Sequence, residues 1–252
     1  MFNSRLRPLH ALSLAVTALW LVHPASAGTL FFNGEPNGGN INGNFLDCST
    51  CRSSQGVRVY DDFQVTGDSW HVTGLFGDYF MMAAGNLPTS GLWEIRQGVS
   101  QGNSGTLIAG GSASLALTPM STPPNGAASF SYFGISVDIA PLDLAPGTYW
   151  MNLAPDALFN ETYLVGTEGT SGVAPLIDGA SFVTGNYWPS MQSIGGYLDP
   201  FTHQSQYDFS YGVIGTTASA GTPEPASGLL FGSAIAGALL WRRRRADHYR
   251  QD

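Results

Sequence analysis

Asp61 and Asp62 are the only acidic residues that are adjacent in the chain. Carboxylates are favoured ligands of Ca²⁺, so this pair could contribute to a calcium site. If the pair lies on a strand, however, its side chains point to opposite faces and do not converge by themselves. The chain contains no D-x-D-x-D-G loop, and a polar strand edge is the simpler explanation. Asp61 and Asp62 are therefore calcium candidates, and no other metal or cofactor is predicted.

A second candidate is the tripeptide Gly67-Asp68-Ser69, which resembles the nucleophile block of GDS-type hydrolases. Those enzymes are α/β proteins with a late Asp-x-x-His, whereas Asp199 and His203 are one residue too far apart to match. A turn between two strands explains residues 67–69 better. Glycoside hydrolysis would need two facing carboxylates, and the sequence does not single out such a pair. We therefore predict no catalytic residue and keep hydrolysis of a polysaccharide or ester as the alternative.

Aromatic residues form a third candidate site, in a stretch rich in glycine and proline. Tyr187, Trp188 and Tyr197 could stack on sugar rings if they are exposed on loops. Amide and acidic side chains nearby, such as Asn186 and Gln192, could bind sugar hydroxyls. The competing interpretation is that these rings cover one end of a hydrophobic core.

The elements that must position these residues are strands. Apolar and polar residues alternate in five short runs, which is typical of strands with one buried face; the runs cover residues 57–60, 92–96, 135–139, 149–153 and 209–213. Turn signals rich in glycine, proline and asparagine separate the runs. No stretch of twelve or more residues shows a helical stripe. Many short strands at this spacing favour a β-sandwich or jelly roll.

The central part of the chain is strongly acidic. Residues 28–222 contain fifteen acidic residues against Arg52, Arg58 and Arg96, with no lysine, which leaves a formal charge of −12. Such a surface repels nucleic acid, so nucleic acid is not a predicted partner.

The C-terminal segment has the pattern of a membrane anchor. Residues 226–241 are sixteen residues without charge, followed directly by Arg242, Arg243, Arg244 and Arg245. A helix of this length covers roughly 24 Å, which only just spans a bilayer core of about 30 Å. Clustered arginines resist translocation, so residues 246–252 are predicted to form a cytoplasmic tail and the preceding domain to lie outside.

The N-terminal segment independently indicates export. Arg5 and Arg7 form a basic start, an apolar stretch follows over residues 9–22, and residues 25–27 read Ala-Ser-Ala. These are the three parts of a secretory signal peptide that signal peptidase would cut after Ala27. Residues 1–27 are therefore predicted to be absent from the mature domain.

Pro223, Glu224 and Pro225, with the apolar helix and arginine cluster behind them, resemble the PEP-CTERM sorting signal of Gram-negative bacteria. The resemblance covers residues 222 to 245. It implies export across the inner membrane, a membrane-anchored precursor, and processing near the triplet by an exosortase. It also implies a final location at the cell surface or in the extracellular matrix, often with a link to exopolysaccharide and biofilm.

Three further segments resemble a pattern found in many proteins with this signal. They are residues 61–65 (Asp-Asp-Phe-Gln-Val), 70–75 (Trp-His-Val-Thr-Gly-Leu) and 146–150 (Pro-Gly-Thr-Tyr-Trp). The resemblance implies a β-sandwich of unassigned function and supplies no catalytic residues. From the residues themselves, we expect Phe63, Val65, Trp70, Val72, Tyr149 and Met151 to point inward.

Cys48 and Cys51 are the only cysteines, spaced as C-x-x-C. A redox motif would be accompanied by a thioredoxin-like βαβ pattern, which is absent. Zinc would need two more ligands, and His71 and His203, the only histidines in the mature domain, have no metal-ligand spacing. Because the domain is expected in an oxidising compartment, we predict a local structural disulfide between Cys48 and Cys51.

Together these features predict an all-β chain with one β-sandwich or jelly-roll-like domain at residues 28–214 and a flexible linker at 215–222. The sorting signal follows at 223–245, with its transmembrane helix at 226–241. We expect a non-catalytic exported protein with a structural or glycan-binding role in the matrix. Its expected partners are signal peptidase, the exosortase, the inner membrane and extracellular polysaccharide. An extracellular hydrolase is the alternative.

Overall fold

The computed structural model describes residues 27–35, 45–51, 55–82, 87–121, 130–157, 161–167, 169, 171–185, 188–194 and 208–217. All regular elements among these residues are strands, which confirms the predicted all-β class. They are β1 (Gly28–Phe32), β2 (Phe45–Leu46), β3 (Cys48–Cys51), β4 (Gln55–Val65), β5 (Trp70–Met82), β6 (Ser90–Gln97), β7 (Thr106–Ser114), β8 (Ala116–Pro119), β9 (Phe130–Leu144), β10 (Gly147–Pro155), β11 (Thr162–Leu164), β12 (Gly166–Thr167), β13 (Phe182–Gly185), β14 (Trp188–Ser193), β15 (Asp208–Phe209) and β16 (Tyr211–Thr217). This described part contains no helix long and apolar enough to cross a membrane. The predicted signal peptide and transmembrane segment lie outside it.

Two seven-stranded antiparallel sheets make up most of the domain. In the first sheet, β5 is central: β9 pairs along one edge, and β16 and then β11 pair along the other. β8, β1 and β2 extend this sheet outward. The second sheet has the order β14-β13-β4-β10-β6-β7, with β3 also paired to β4. β12 and β15 form a separate short pair.

Both sheets contribute to one hydrophobic core, which is the arrangement of sheets packed face to face. Phe63 lies near its centre, with ring centroids 5.8 Å from Phe31, 6.0 Å from Trp70 and 5.7 Å from Tyr149. Three of these rings come from the three sequence segments that resemble the exported-protein pattern. All six residues predicted to point inward belong to this core, so that prediction is confirmed.

The C-terminal end of the domain differs from the prediction. Residues 209–213 were expected to form one strand, but the chain breaks at Ser210, whose hydroxyl group donates a hydrogen bond to Asp78 at 2.6 Å. β16 then continues to Thr217, past the predicted domain end at residue 214. Residues 215–217 were expected in the linker, but their pairing with β5 draws them into the sheet.

A buried carboxylate joins the two sheets. Asp47 is fully buried, and its Oδ2 accepts hydrogen bonds from the hydroxyl groups of Tyr211 at 2.6 Å and Tyr79 at 3.3 Å, both in the first sheet. Its Oδ1 accepts hydrogen bonds from the Val59 amide and Asn152 Nδ2, each at 3.2 Å, both in the second sheet. All four donors are neutral, and burial raises the pKa of Asp47 to about 7 despite these hydrogen bonds.

Removing this carboxylate should destabilise the domain strongly. Asp47→Ala removes an acceptor that four buried donors share and leaves a cavity between the sheets. The Tyr79, Tyr211 and Asn152 side chains keep a backbone carbonyl as a second acceptor, so we expect the free energy of unfolding to fall by about 2–3 kcal/mol. Urea unfolding of the purified exported protein measures the change. Asp138→Ala, at an exposed position on β9, is the matched control and should stay within about 0.5 kcal/mol of the wild type. A similar small effect for both variants would contradict the bridging role of Asp47.

Stability should fall as pH rises from about 4 to 7. Burial raises the pKa of Asp47 to about 7 and that of Asp78 to about 6, from an ordinary 3.8. In this window the folded protein binds more protons than the unfolded chain, so each carboxyl lowers the free energy of unfolding by up to about 1.4 kcal/mol per pH unit. Urea unfolding at fixed ionic strength measures this slope.

Asp47→Asn should remove the share of that slope that Asp47 contributes. The amide oxygen can still accept from Val59 and Asn152, and the tyrosine hydroxyls can accept from the amide nitrogen, so the variant should fold. Asp138→Asn should leave the slope unchanged. A wild-type stability that rises steadily from pH 4 to 7 would show that the sign is wrong.

Candidate metal centre

Three carboxylates meet where β4 passes beyond its partner β13. The pairing between these strands ends at Tyr60 and Phe182, so Asp61 and Asp62 come next on β4. Asp208, the first residue of β15, approaches the same place. One oxygen from each of the three carboxylates lies within 4.8 Å of the others, and all three residues are buried.

Asp61 and Asp62 were not expected to converge by themselves, and they meet at this strand edge together with Asp208. Beyond Tyr60 this edge of β4 no longer pairs with β13, and the chain that enters β13 lies there instead. Trp150, the cross-strand neighbour of Asp62, donates its indole N–H to the carbonyl of Ala180 at 3.1 Å and holds that segment in place. Carboxylates from both faces of β4 can therefore reach the strand edge.

Asp61 is the most firmly held of the three. Its Oδ2 accepts hydrogen bonds from the Phe209 amide at 2.6 Å and from Asn33 Nδ2 at 2.9 Å, and its Oδ1 accepts one from the Ser181 hydroxyl at 2.6 Å. These contacts come from β15, the end of β1 and the entry to β13. Asp61 therefore fixes three distant segments around one point.

Asp208 and Asp62 are satisfied to different degrees. Both oxygens of Asp208 accept from the Gly179 amide, at 3.0 and 3.2 Å, and Ser181 Oγ lies 3.5 Å from Asp208 Oδ1. In contrast, Oδ1 of Asp62 has no hydrogen-bond partner among the described residues, although Asp62 is only 3% exposed. A buried carboxylate oxygen without a partner is rare and calls for an explanation.

Burial and mutual repulsion disfavour negative charge in this cluster. Burial, followed by the charges of Asp178 and Asp208, raises the pKa of Asp62 to about 7. Burial and Asp178 raise the pKa of Asp208 to about 6 although the Gly179 amide opposes them. Burial first, then the Asp208 charge, also raises the pKa of Asp61 well above its ordinary range.

No described cation neutralises the cluster. The chain has no lysine, and both described arginines contact Glu94 instead, Arg58 at 2.8 Å and Arg96 at 2.6 Å. The Tyr60 hydroxyl also donates to Glu94, at 2.6 Å. Although burial favours the neutral form of Glu94, the hydrogen bonds from Arg96 and Tyr60 lower its pKa.

A separate groove lies on the outer face of the first sheet. It has a volume of about 300 Å³ and crosses β8, β9, β5, β16 and β1. The lining residues are Thr29, Phe76, Thr118, Gly134, Ile135, Ser136 and Ile214. Phe76 packs against Phe32 with 5.1 Å between ring centroids. The lining is thus uncharged and combines an aromatic ring with three hydroxyl groups.

The hydrolase alternative would need Ser69 in contact with His71 or His203. The described part of the chain contains no such contact. His71 Nδ1 lies 2.6 Å from Asp143 Oδ1, at an exposed position. The Ser69 side chain, in the turn between β4 and β5, forms no hydrogen bond with His71. His203 lies outside the described residues.

The side chains of several predicted site residues lie outside the described part of the chain. The backbone of Cys48 and Cys51 lies in β3. Their side chains do not belong to the described part of the structure, so the disulfide stays a prediction. Trp188 begins β14, but its side chain lies outside the described part of the structure. Tyr187 and Tyr197 lie outside it entirely. The Pro-Glu-Pro triplet and the arginine cluster also lie beyond the described residues.

Sequence reasoning missed Asp208 and the groove. Asp208 stands far from Asp61 and Asp62 in the chain, and only its place before the Phe-Ser-Tyr run marked it as a residue at a strand end. The groove has no motif, because its lining comes from five strands.

Comparison with known families confirms the sorting signal. Residues 222–245 match the PEP-CTERM protein-sorting motif. A search of curated proteins found no match to the chain. The motif indicates an exported protein whose membrane-anchored precursor is processed by an exosortase.

Replacing the triplet should block that processing. With Pro223, Glu224 and Pro225 all changed to alanine, we expect the native host to accumulate a precursor that retains its C-terminal segment, because the processing enzyme no longer recognises its substrate. Intact-mass measurement of the membrane and extracellular fractions detects this. Ser219→Ala, in the predicted linker, should be processed normally. Equal processing of the triplet variant and the wild type would refute the role of the triplet.

Proposed function

We propose that the mature domain is a non-catalytic, jelly-roll-like β-sandwich that binds neutral polysaccharide at the surface or in the matrix of a Gram-negative bacterium. The observation that carries this proposal is the uncharged groove on the outer face of the first sheet. The sorting motif supports the proposal because it indicates export, and an exported domain can meet extracellular polysaccharide.

The groove has the chemistry that a sugar ring needs. A pyranose presents an apolar C–H face that packs on an aromatic ring, and Phe76 supplies such a ring. Hydroxyl groups at the ring edge form hydrogen bonds, and Thr29, Thr118 and Ser136 supply partners for them. Gly134 contributes no side chain to the surface, so a flat ligand can approach the sheet.

The charge of the domain favours a neutral ligand. Residues 28–222 carry a formal charge of −12, so an acidic polysaccharide would be repelled at low ionic strength. Among the described residues, no charged side chain lines the groove to counter this repulsion.

Two observations favour a binding role over hydrolysis. The clustered carboxylates are buried and largely hydrogen-bonded within the protein, which leaves no open space for a sugar between them. His71 contacts Asp143 rather than Ser69, so no activated hydroxyl is assembled there. Tyr187, Trp188 and Tyr197 remain a second candidate surface for stacking on the same class of ligand.

A charge placed in the groove should weaken polysaccharide binding. Thr118 is exposed on β8, so Thr118→Glu should leave the fold intact and reduce affinity at least about tenfold, because a carboxylate must lose water when the sugar docks. Affinity electrophoresis through gels containing the neutral matrix polysaccharide of the native host measures this.

The matched control is Ser112→Glu, which adds the same charge to the exposed strand β7 of the other sheet and should bind as the wild type does. Loss of binding in Trp188→Ala with full binding in Thr118→Glu would move the site to the second surface. A wild-type protein that the polysaccharide does not retard would refute the proposed function.

A further inference from the structure

We infer that Asp61, Asp62 and Asp208 form a calcium-binding site that stabilises the exported domain. The inference concerns the second sheet and is independent of the proposed polysaccharide groove. It begins with Asp62, which lies beside two other carboxylates and whose buried Oδ1 has no hydrogen-bond partner among the described residues. A bound cation would give this oxygen a partner that the described residues do not supply.

The donor atoms are those of a hard cation. The cluster offers carboxylate oxygens, and the Ser181 hydroxyl lies 2.6 Å from Asp61 and 3.5 Å from Asp208. No sulfur or imidazole from the described part of the chain belongs to it. Oxygen-only ligands favour Ca²⁺ or Mg²⁺ over zinc or copper.

The spacing of the oxygens fits calcium. Two ligands bound to one Ca²⁺ at about 2.3–2.6 Å can be up to about 5 Å apart, whereas Mg²⁺, at about 2.0–2.1 Å, brings them within about 4.2 Å. The three carboxylate oxygens lie within 4.8 Å of one another. This spacing is compatible with Ca²⁺, whose coordination geometry is flexible, whereas Mg²⁺ demands near-ideal octahedral geometry.

The residues around the three carboxylates would favour a bound cation. Asp61 is oriented by hydrogen bonds from Asn33, Ser181 and Phe209, so one ligand is fixed before any ion arrives. Asp178 is exposed and adds a fourth carboxylate close enough to act electrostatically on Asp62 and Asp208. No described arginine occupies the place of the ion.

The test compares thermal unfolding of the purified exported protein with calcium chloride and with chelator. For a site of the affinity usual in extracellular modules, about 10 mM Ca²⁺ should raise Tm by roughly 5–10 °C. Titration calorimetry of the chelator-treated protein should show one Ca²⁺ bound per chain. An equal Tm increase with Mg²⁺ would overturn the assignment to calcium.

Asp62→Asn separates a calcium ligand from a merely structural residue. The amide removes one repelling charge and keeps the shape, so this variant should have a higher Tm than the wild type in chelator and should lose the calcium response. Asp208→Asn is a second variant that should lose the response if Asp62→Asn folds poorly. Asp138→Asn, exposed on β9, should keep the full response.

Two further results would overturn the inference. One is a wild-type protein whose Tm and calorimetric trace do not change with Ca²⁺. The other is a calcium response in both Asp62→Asn and Asp208→Asn that equals that of the wild type, because the ion would then bind elsewhere.

Discussion

The fold depends on one buried carboxylate that both sheets share. Asp47 receives hydrogen bonds from Tyr79 and Tyr211 on one side of the core and from Val59 and Asn152 on the other. Its backbone is fixed as well, since Thr162 accepts from the Asp47 amide and donates to its carbonyl. Hydrophobic contact alone lets two sheets slide, whereas a buried carboxylate with both oxygens hydrogen-bonded from two sheets favours one registration.

Asp47 and the three-carboxylate cluster differ in how well their oxygens are hydrogen-bonded. Both are buried, and burial raises their pKa values. Asp47, however, stands alone among neutral donors that satisfy both of its oxygens, so it needs nothing further. Asp62 stands beside Asp61 and Asp208 and has an oxygen with no described partner. Local satisfaction of hydrogen bonds therefore distinguishes a structural carboxylate from a candidate ligand better than burial does.

The strands were predictable from sequence because their signal is local. Alternation in residues 57–60, 92–96, 135–139 and 149–153 corresponds to β4, β6, β9 and β10, and aromatic residues near them form the core. The sorting signal was predictable for the same reason, since its three parts are contiguous.

The candidate site was only half predictable, because its geometry is not local. Asp61 and Asp62 were recognisable as an adjacent pair, but their convergence depends on where β13 stops pairing with β4. The place of Asp208 depends on the break at Ser210, which arises from a hydrogen bond to Asp78 on another strand. Neither event leaves a pattern in the neighbouring residues.

Because successive side chains of β5 point to opposite faces of the sheet, this strand contributes residues to both the core and the groove. Leu75, Tyr79 and Met81 point inward, where Tyr79 reaches Asp47, while Phe76 points outward and lines the groove. The outer face can therefore vary in sequence without disturbing the polar network inside. Because Asp61 and Asp62 lie on β4 in the opposite sheet and Asp208 lies on β15, the proposed ion site and the proposed ligand groove involve different strands. The outward-facing side chains of the first sheet can therefore change while the same internal contacts keep the two sheets in register.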